Sequence, residues 1–309
     1  MKISVVIPTY NSAAVIRHTL DAVLRQTITP DEILILDDGS TDETVAILKA
    51  YGNTVSVFEQ KNQGVAEARN VLCRKATGDL IAFLDHDDVW HPSYLEVQKR
   101  SFEAHPEAVA FFTGNLNFVG TGKYDWIDEH SDYVSRKLIG PEAFIDLYNR
   151  STGTFYSMSF CCMPKWIVSQ MGSKPFCANV SGVDDCYICN KMPLHGSVVY
   201  TPAPLVAYRI TNQAQSINQL KNFANVVKVF GLLEYEYREC RSIKLWRAFR
   251  KAYAGKRRRY GKTLMGAGTV GMARQEFILA AALDWHPVSL TKSLAMLMFT
   301  CVPSVLQPQ

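Results

Sequence analysis

The feature that most constrains this chain is a figure repeated in its first third: a short, almost wholly apolar run that stops abruptly at polar or acidic residues. "ISVVIP" gives way to Thr9, Tyr10 and Asn11, "EILILDD" closes on Asp37 and Asp38, and "LIAFLDHDD" on Asp85, Asp87 and Asp88. Runs this apolar predict strands covered on both faces, as in a parallel sheet flanked by helices. The intervening segments carry helical periodicity, clearest in "SAAVIRHTLDAVLRQ" and "TDETVAILKAY". Strands alternating with helices predict an α/β chain, and ligands of such sheets sit beyond the carboxyl ends of the strands. The three polar ends therefore converge on one cleft.

The third end is the most highly charged. "LDHDDVWHP", from Leu84 to Pro92, places three carboxylates and two imidazoles in nine residues. Carboxylates crowded at the end of a buried strand repel one another and lose hydration, so they call for a cation or a hydrogen-bonded ligand. Asp85 and Asp87 can both reach one small cation from a turn, and their oxygens suit Mg²⁺ or Mn²⁺, which keep positions open for phosphate oxygens. A diphosphate would complete the shell, with the metal as Lewis acid for a departing nucleoside diphosphate. A lone D-x-D is equally what a solvated acidic turn looks like, with His86 and His91 as neutral surface groups. Upstream, Ser40 or Thr41 ahead of "DET" predicts a capping-box helix start. That accounts for Asp42 and Glu43 but leaves Asp37 and Asp38 unexplained.

The chain's 309 residues suit one large α/β domain with an appendage, and a formal charge of +4 gives no ground for nucleic acid binding. Pro8 and the polar turn after it interrupt the first apolar run before a signal-peptide core is complete, so the start reads as a strand. Eight cysteines at irregular spacing predict reduced thiols in a cytosolic protein rather than a secreted disulfide framework. Cys186 and Cys189 form a C-x-x-C without a second pair or a histidine cluster at zinc spacing, and core packing is expected of them. No G-x-G-x-x-G follows the first strand, which disfavours a dinucleotide-dependent dehydrogenase.

From about Gln219 the character changes. Leu220, Phe223, Val227 and Phe230 stand at helical spacing, as do Trp246, Phe249 and Tyr253. Lys256, Arg257, Arg258 and Arg259 follow, and then apolar stretches shorter than the roughly 20 residues of a membrane span. A basic run in such company suits an anionic membrane surface, where each basic residue adds up to about 1 kcal/mol. It suits equally a solvated basic face on a helical appendage that packs on the core or on another subunit of an oligomer.

Taken together, "VVIPTYN", "LILDDGSTDET", "NQGVAEARN", "ATGDLIAFLDHDDVW", "GVDDCYICNKM" and "AYRI" resemble, in order and spacing, the family two glycosyltransferases, inverting enzymes of the GT-A fold. The resemblance covers roughly residues 1–215. It implies a Rossmann-like α/β domain with a mostly parallel central sheet, a nucleotide-sugar-binding half over 1–115 and an acceptor-binding half over 116–215. A helical, partly basic and apolar C-terminal region, 216–309, follows a boundary expected between Asn212 and Gln219. The implied chemistry is transfer of a sugar from a nucleotide-sugar, expected to be uridine-linked, to a glycan or lipid-linked acceptor in cell-surface polysaccharide or glycolipid synthesis. Mn²⁺ or Mg²⁺ is the implied cofactor, and the cytoplasm or the inner face of its membrane the implied location.

Position by position, Pro8, Thr9, Tyr10, Asn11 and Asp38 match the base-and-ribose end of the nucleotide site, with Asp37 in support and Gly39 turning the backbone away. Arg69 matches the arginine that holds the donor nucleotide, and Gly64 its tight turn. Asp85 matches the acid near ribose and metal, Asp87 the principal metal ligand, and His86 the spacer between them in the nucleotide-sugar stretch. Asp88 is expected to cap the turn. "GVDDCYICNKM" matches the Glu-Asp motif of the family, with Asp185 as general base and Asp184 in place of the glutamate; a register slip of one residue exchanges them. The base takes the acceptor proton during a single displacement that inverts the sugar, and carboxylates favour the oxocarbenium-like transition state. The two aspartates are also what a simple helix start would carry. Tyr208 and Arg209, with Gln213, Gln215 and Ser216, match the segment that closes over the donor diphosphate. No Gln-x-x-Arg-Trp motif is present, which implies single addition rather than processive synthesis. "GTFYSMSFCCMPKWIVSQMG" matches the lining of the acceptor pocket, with no role for Cys161 and Cys162. Two rivals use the same acids: a metal-dependent nucleotidyltransferase or phosphohydrolase, which needs no acceptor base, and a non-catalytic nucleotide-binding scaffold.

Overall fold

The computed structural model describes residues 1–124, 126, 136–150, 157–180, 182–210, 219–284 and 286–301. Its first third alternates as the apolar runs require: β1 (Ile3–Thr9), α1 (Ile16–Leu24), β2 (Glu32–Asp37), α2 (Thr44–Lys49), β3 (Ser56–Glu59), α3 (Val65–Lys75) and β4 (Leu80–Phe83). All of β1 and β4 is buried, which is why neither strand shows a two-residue alternation of apolar and polar residues. The second third holds β5 (Val89–Trp90), α4 (Tyr94–Ala104), β6 (Ala110–Val119), β7 (Lys137–Ile139), α5 (Pro141–Arg150), β8 (Cys161–Pro164), α6 (Lys165–Gln170), α7 (Asp184–Lys191) and β9 (Val198–Ile210). Four helices close the described chain: α8 (Gln219–Glu239), α9 (Ile243–Gly266), α10 (Val270–Leu283) and α11 (Pro287–Cys301).

One sheet runs β3-β2-β1-β4-β8-β6-β9-β5, with β7 also paired to β9. The block β3-β2-β1-β4 is parallel, with Val5 opposite Ile33 and Ala82. Past β4 the pairing is mixed. β8 lies antiparallel to both β4 and β6, β6 and β9 run parallel, and β5 and β7 add antiparallel to β9. The parallel block needs a crossover helix for each step, and α1, α2 and α3 supply the connections. Cys161 and Cys162, for which the sequence offers no role, are core residues of β8, with no exposed surface.

The start of α2 differs from the capping box expected at Ser40 or Thr41. The helix begins at Thr44, and Asp42 accepts from the Thr44 amide at 3.0 Å and from its hydroxyl. Asp42 also accepts from the Ala13 amide at 3.1 Å, so one carboxylate ties the turn after β1 to the start of α2.

The C-terminal helices do not pack among themselves alone. Phe230, Leu233 and Tyr237 of α8 and Phe249 and Tyr253 of α9 form a second core with Ile145 of α5 and Val183 and Cys186 beside and on α7. Cys186 and Cys189 thus sit in packed surroundings on the inner side of α7. The basic quartet is turned into this packing. Lys256 donates to the Asn149 carbonyl at 3.4 Å, Arg257 pairs with Glu276 at 2.8 Å and donates to the Tyr253 hydroxyl at 2.6 Å, and Arg258 reaches the Ser293 hydroxyl at 3.4 Å. Only Arg259 is exposed, over the ring of Phe223. Among the described residues no helix is long and apolar enough to cross a membrane. The expected boundary between Asn212 and Gln219 falls almost entirely in 211–218, outside the described residues, as do Gln213, Gln215 and Ser216.

Candidate active site

The carboxyl ends of β1, β2 and β4 bring their polar residues to one edge of the sheet, as parallel strands with aligned registers must. The nucleotide-side turns are built around side chains that satisfy backbone amides. Asn11 takes a left-handed conformation, φ 46°, and accepts from the Thr41 amide at 2.8 Å while its own amide donates to Ser40. Asparagine tolerates that backbone better than most residues. Asp37 accepts from the amides of Gly39 and Ser40 at 3.1 and 2.8 Å. Asp38 accepts from Gln60 Nε2, the Gln63 amide and the Gly64 amide at 2.7, 2.9 and 2.7 Å. Gly39, at φ 81°, could not carry a side chain, because a Cβ there would lie 3.0 Å from the Asn62 amide nitrogen. Asp37 and Asp38 therefore shape the turns that present Thr9, Tyr10 and Gly64. Thr9 is buried and Tyr10 exposed, and Pro8 is buried in β1.

Arg69 lies at the centre. Its side chain is buried on α3, with one terminal nitrogen on Asp85 and the other on Asp184. Burial alone would lower its affinity for a proton, but the Asp85 and Asp184 carboxylates outweigh this and hold it firmly charged. Asp85 also accepts from the Ser157 hydroxyl at 3.1 Å, and its amide donates to Ser159 at 2.9 Å. One guanidinium thus joins the end of β4 to the first turn of α7. Asp184 and Asp185 do begin a helix, so the simple helix-start expectation holds locally. It does not account for the fixed charge Asp184 faces.

Asp185 is half-buried by surface, yet ringed by protein over the distances at which its charge is felt. Burial, and then the Asp184 carboxylate, raise its pKa to about 8 against the opposing pull of Arg69. A carboxyl poised there loses its proton around pH 8, close to a working pH, as a general base requires. The Asp184 carboxylate is paired with Arg69.

The loop after β4 is fastened from three sides. Thr19 of α1 donates to the carbonyls of His86 and Asp88 at 2.8 and 2.9 Å. Arg209 of β9 donates from Nε to the Asp87 carbonyl at 2.8 Å and from its amide to the Asp88 carboxylate at 2.9 Å. Its outer nitrogen binds the carbonyls of Gly120 and Gly122, and the guanidinium lies over Phe118 at 4.4 Å. Arg209 was expected to close over a diphosphate. Its charge is instead buried among carbonyls, and it acts as a fastener of the acidic loop. Tyr208 is half-buried edge-on to Phe160, its hydroxyl pKa raised by burial and by the negative field of Asp88 and Asp85.

Asp88 is fully buried, and its carboxyl is raised well above the usual range by burial and by Asp87 and Asp85. One of its oxygens has no hydrogen-bond partner, so a charge there would go uncompensated. Asp87 is raised by burial and by Asp85, with His86 pulling the other way. Among the described residues no group of three or more His, Cys, Asp or Glu side chains stands ready to hold a metal ion, so protein ligands would need completion by the substrate. The donor set fits that role: Asp85 and Asp87 offer hard oxygens, and a cation would relieve the repulsion that raises Asp87. Sequence reasoning missed Thr19, Ser157 and Ser159, hydroxyl residues on distant elements whose partners are set only by the fold.

The family model described as "Glycosyl transferase family 2" matches residues 4–171. The chain belongs to that family. Chondroitin synthase of Escherichia coli is 36% identical over 132 residues, covering 40% of this chain and 19% of the synthase. The chain spans less than a third of the length of the first curated relatives it matches. Among solved structures, S. aureus TarS in complex with UDP-GlcNAc matches with a TM-score of 0.70 at 16% identity, covering 97% of this chain and 89% of that one. A mannosyltransferase from Pyrobaculum calidifontis, in complex with GDP-Man and Mn²⁺, matches with 0.58 at 17% identity, covering 100% and 88%. The fold is therefore GT-A, its mixed sheet carrying a helical C-terminal region.

Two outcomes follow from the Arg69 cluster. Arg69→Met strands two carboxylates in a buried site, and loss of one partner of such a pair costs about 3–5 kcal/mol; chemical denaturation should show a loss on that scale, whereas an exposed control, Arg100→Met, should change stability by less than about 1 kcal/mol. The second concerns pH. If Asp185 is the base, it must be unprotonated to act, so kcat/KM should rise with pH through a limb near pH 8 and level off above it. Asp184→Asn removes the second-largest cause of the raised pKa and should move that limb to lower pH. A profile flat from pH 6 to about 9 would exclude Asp185 as the base.

Proposed function

We propose that this chain moves one sugar, with inversion, from a uridine-linked nucleotide-sugar to a hydroxyl of a glycan or lipid-linked acceptor. The observation that carries this is the Arg69 bridge, which places a donor-side acid, Asp85, and the acid-rich start of α7 in one site. In the reaction, the acceptor hydroxyl approaches the anomeric carbon from the face opposite the diphosphate. Asp185 takes its proton while the new carbon–oxygen bond forms and the bond to the diphosphate oxygen breaks. The Asp184 and Asp185 side of the site offers negative charge to the oxocarbenium-like sugar. Thr9, Tyr10, Asn11 and Asp38 frame the base and ribose, and Gly64 gives the backbone turn before α3. Arg69 is positioned to trade a carboxylate for a phosphate oxygen. Asp87, with Asp85, would hold Mg²⁺ or Mn²⁺, which when bound neutralises charge on the leaving diphosphate.

Support for a uridine-linked donor and a glycan acceptor comes from TarS, solved with UDP-GlcNAc, and from the likeness to chondroitin synthase. The nucleotidyltransferase or phosphohydrolase alternative has no use for a poised Asp185. Thermal-shift titration with UDP-GlcNAc should show a rise that needs Mn²⁺ or Mg²⁺, equivalent to about 2.7 kcal/mol at a hundredfold excess over Kd. Asp87→Asn should remove the metal-dependent part. Asp185→Asn should keep the shift and lose transfer by roughly 10²–10⁴. Absence of any metal-dependent shift across a panel of nucleotide-sugars would reject the assignment, as would full turnover by Asp185→Asn.

We place the enzyme on the inner face of an anionic membrane through its last two helices rather than through the basic quartet. Ile278 and Leu279 of α10 and Leu294, Met298 and Phe299 of α11 are exposed; Arg274 and Lys292 on these helices are exposed too, as are Lys244, Arg247, Lys251 and Lys262 of α9. Exposed apolar side chains among basic ones suit a headgroup boundary. Binding to vesicles containing phosphatidylserine should fall with salt and with Met298→Ser/Phe299→Ser, while Arg259→Gln has little effect. Equal binding to neutral vesicles, or no binding, would sink this placement.

A further inference from the structure

A cavity of about 200 Å³ opens on the flank of the sheet, between α1, β5 and the residues that follow β6. No residue assigned above to donor, metal or base lines it. Two of its walls are aromatic and half-buried: Tyr124 and Trp126, ring centroids 5.0 Å apart and inclined at 72°. Trp126 is fixed in advance, its indole nitrogen donating to the Trp90 carbonyl at 3.1 Å and its ring meeting His91 edge-on. Trp90 forms part of the wall between them and α1. The facing wall is polar. His18 and Asp21 lie three residues apart on one face of α1, and Arg25, at its C-terminal cap, follows Asp21 by four. Asp21 and Arg25 are 3.7 Å apart, and His18 Nδ1 is buried without a hydrogen-bond partner.

This combination selects a class of ligand. A pyranose has faces lined by C–H groups, which stack on aromatic rings, and a rim of hydroxyls that both donate and accept. Asp21 accepts, Arg25 donates, and neutral histidine can do either. Small-ligand sites are of this kind, largely apolar with a few convergent polar groups. The cavity is too small for a nucleotide-sugar; its charged lining is Asp21, Arg25 and Lys123, with Asp21 beside Arg25 offsetting that cation. It is also linked to the acidic loop. Thr19, next to His18, holds the carbonyls of His86 and Asp88, and Trp90 follows Asp88 by two residues.

We propose that this cavity is a second carbohydrate subsite, separate from the acidic cleft, which takes one neutral pyranose unit of the acceptor glycan. The choice of ligand rests on the transferase function above. A unit bound this far from the reacting atoms adds affinity without acting on the bond that breaks, so it lowers KM for longer acceptors and leaves kcat largely alone.

The test uses glucose, N-acetylglucosamine and the N-acetylglucosamine tetramer, titrated into the full chain with UDP and Mn²⁺ present to fill the donor cleft. Tryptophan fluorescence and ligand-observed saturation-transfer NMR report binding. At least one of the three sugars should saturate. Arg25→Ala, on an exposed helix position, and Trp126→Leu should each weaken it by about fivefold or more, the worth of one net hydrogen bond. The thermal shift produced by UDP should be unchanged in both variants. No saturation by any of the three sugars would overturn the subsite, and so would equal affinity in both variants, which would put the sugar in the main cleft. Loss of UDP binding with saccharide binding intact would instead count against the transferase assignment and spare the subsite.

Discussion

The candidate site depends on one buried cation. Arg69 stands between Asp85 and Asp184 on elements far apart in sequence, and its charge is what allows two carboxylates to face each other inside the protein. Removing ions from water costs several kcal/mol each, which mutual attraction offsets only with close, hydrogen-bonded geometry. A hydrophobic trio of equal volume could be as stable. What it could not do is set the proton affinity of Asp185, which is pushed up by burial and Asp184 and held down by Arg69. The same guanidinium thus fixes the spacing of the donor and acceptor sides and the protonation of the group between them.

The acidic loop raises the opposite problem, since Asp85, Asp87 and Asp88 have too few cations near them. The fold answers by holding the backbone rather than neutralising the side chains. Thr19, Ser159 and Arg209 all act on carbonyls or amides of residues 85–88, so the loop keeps its shape while the carboxyls of Asp87 and Asp88 are pushed toward the neutral form. Under the proposed function, such a loop is preorganised for a cation that the substrate would bring with it. Its electrostatic strain would be relieved on binding, which is where relief favours catalysis over mere stability.

Much of this was legible in the sequence, and the limits have physical causes. β1, β2 and β4 could be read because a strand buried on both faces leaves an unbroken apolar run, and their ends could be read because charge is conspicuous there. The roles of Arg69 and Arg209 could not be separated. Both are single arginines in motif-like company, and only tertiary pairing makes one a bridge between carboxylates and the other a fastener among carbonyls. The same holds for Lys256 to Arg259: four adjacent charges look like a surface patch until the turns of α9 send the first three toward Asn149, Glu276 and Ser293. Thr19 carried no signal, and Ser157 and Ser159 only that of the stretch around them, because a hydroxyl gains its meaning from a partner dozens of residues away. The helix start, tied down by Asp42, was placed one or two residues early for a similar reason, the second partner of Asp42 being Ala13 in the turn after β1.

The helical C-terminal region is tied energetically to the helix that carries the proposed base, Asp185. Tyr237 of α8 donates to the Asn190 carbonyl at the end of α7, and Lys191 pairs with Glu236 at 3.3 Å. Phe230, Phe249 and Tyr237 form a stacked aromatic core that Val183 and Cys186 join from the α7 side. α7 has only eight residues, too few to hold a helix by its own hydrogen bonds in water. Its orientation must come from what it packs against, and on one side that is α8. The position of Asp185, at the first turn of this short helix, is therefore set jointly by Arg69 through Asp184 and by the aromatic core behind it. A catalytic carboxyl needs to be held to within a fraction of an ångström, and here an ion pair in front and hydrophobic packing behind act on the same turn.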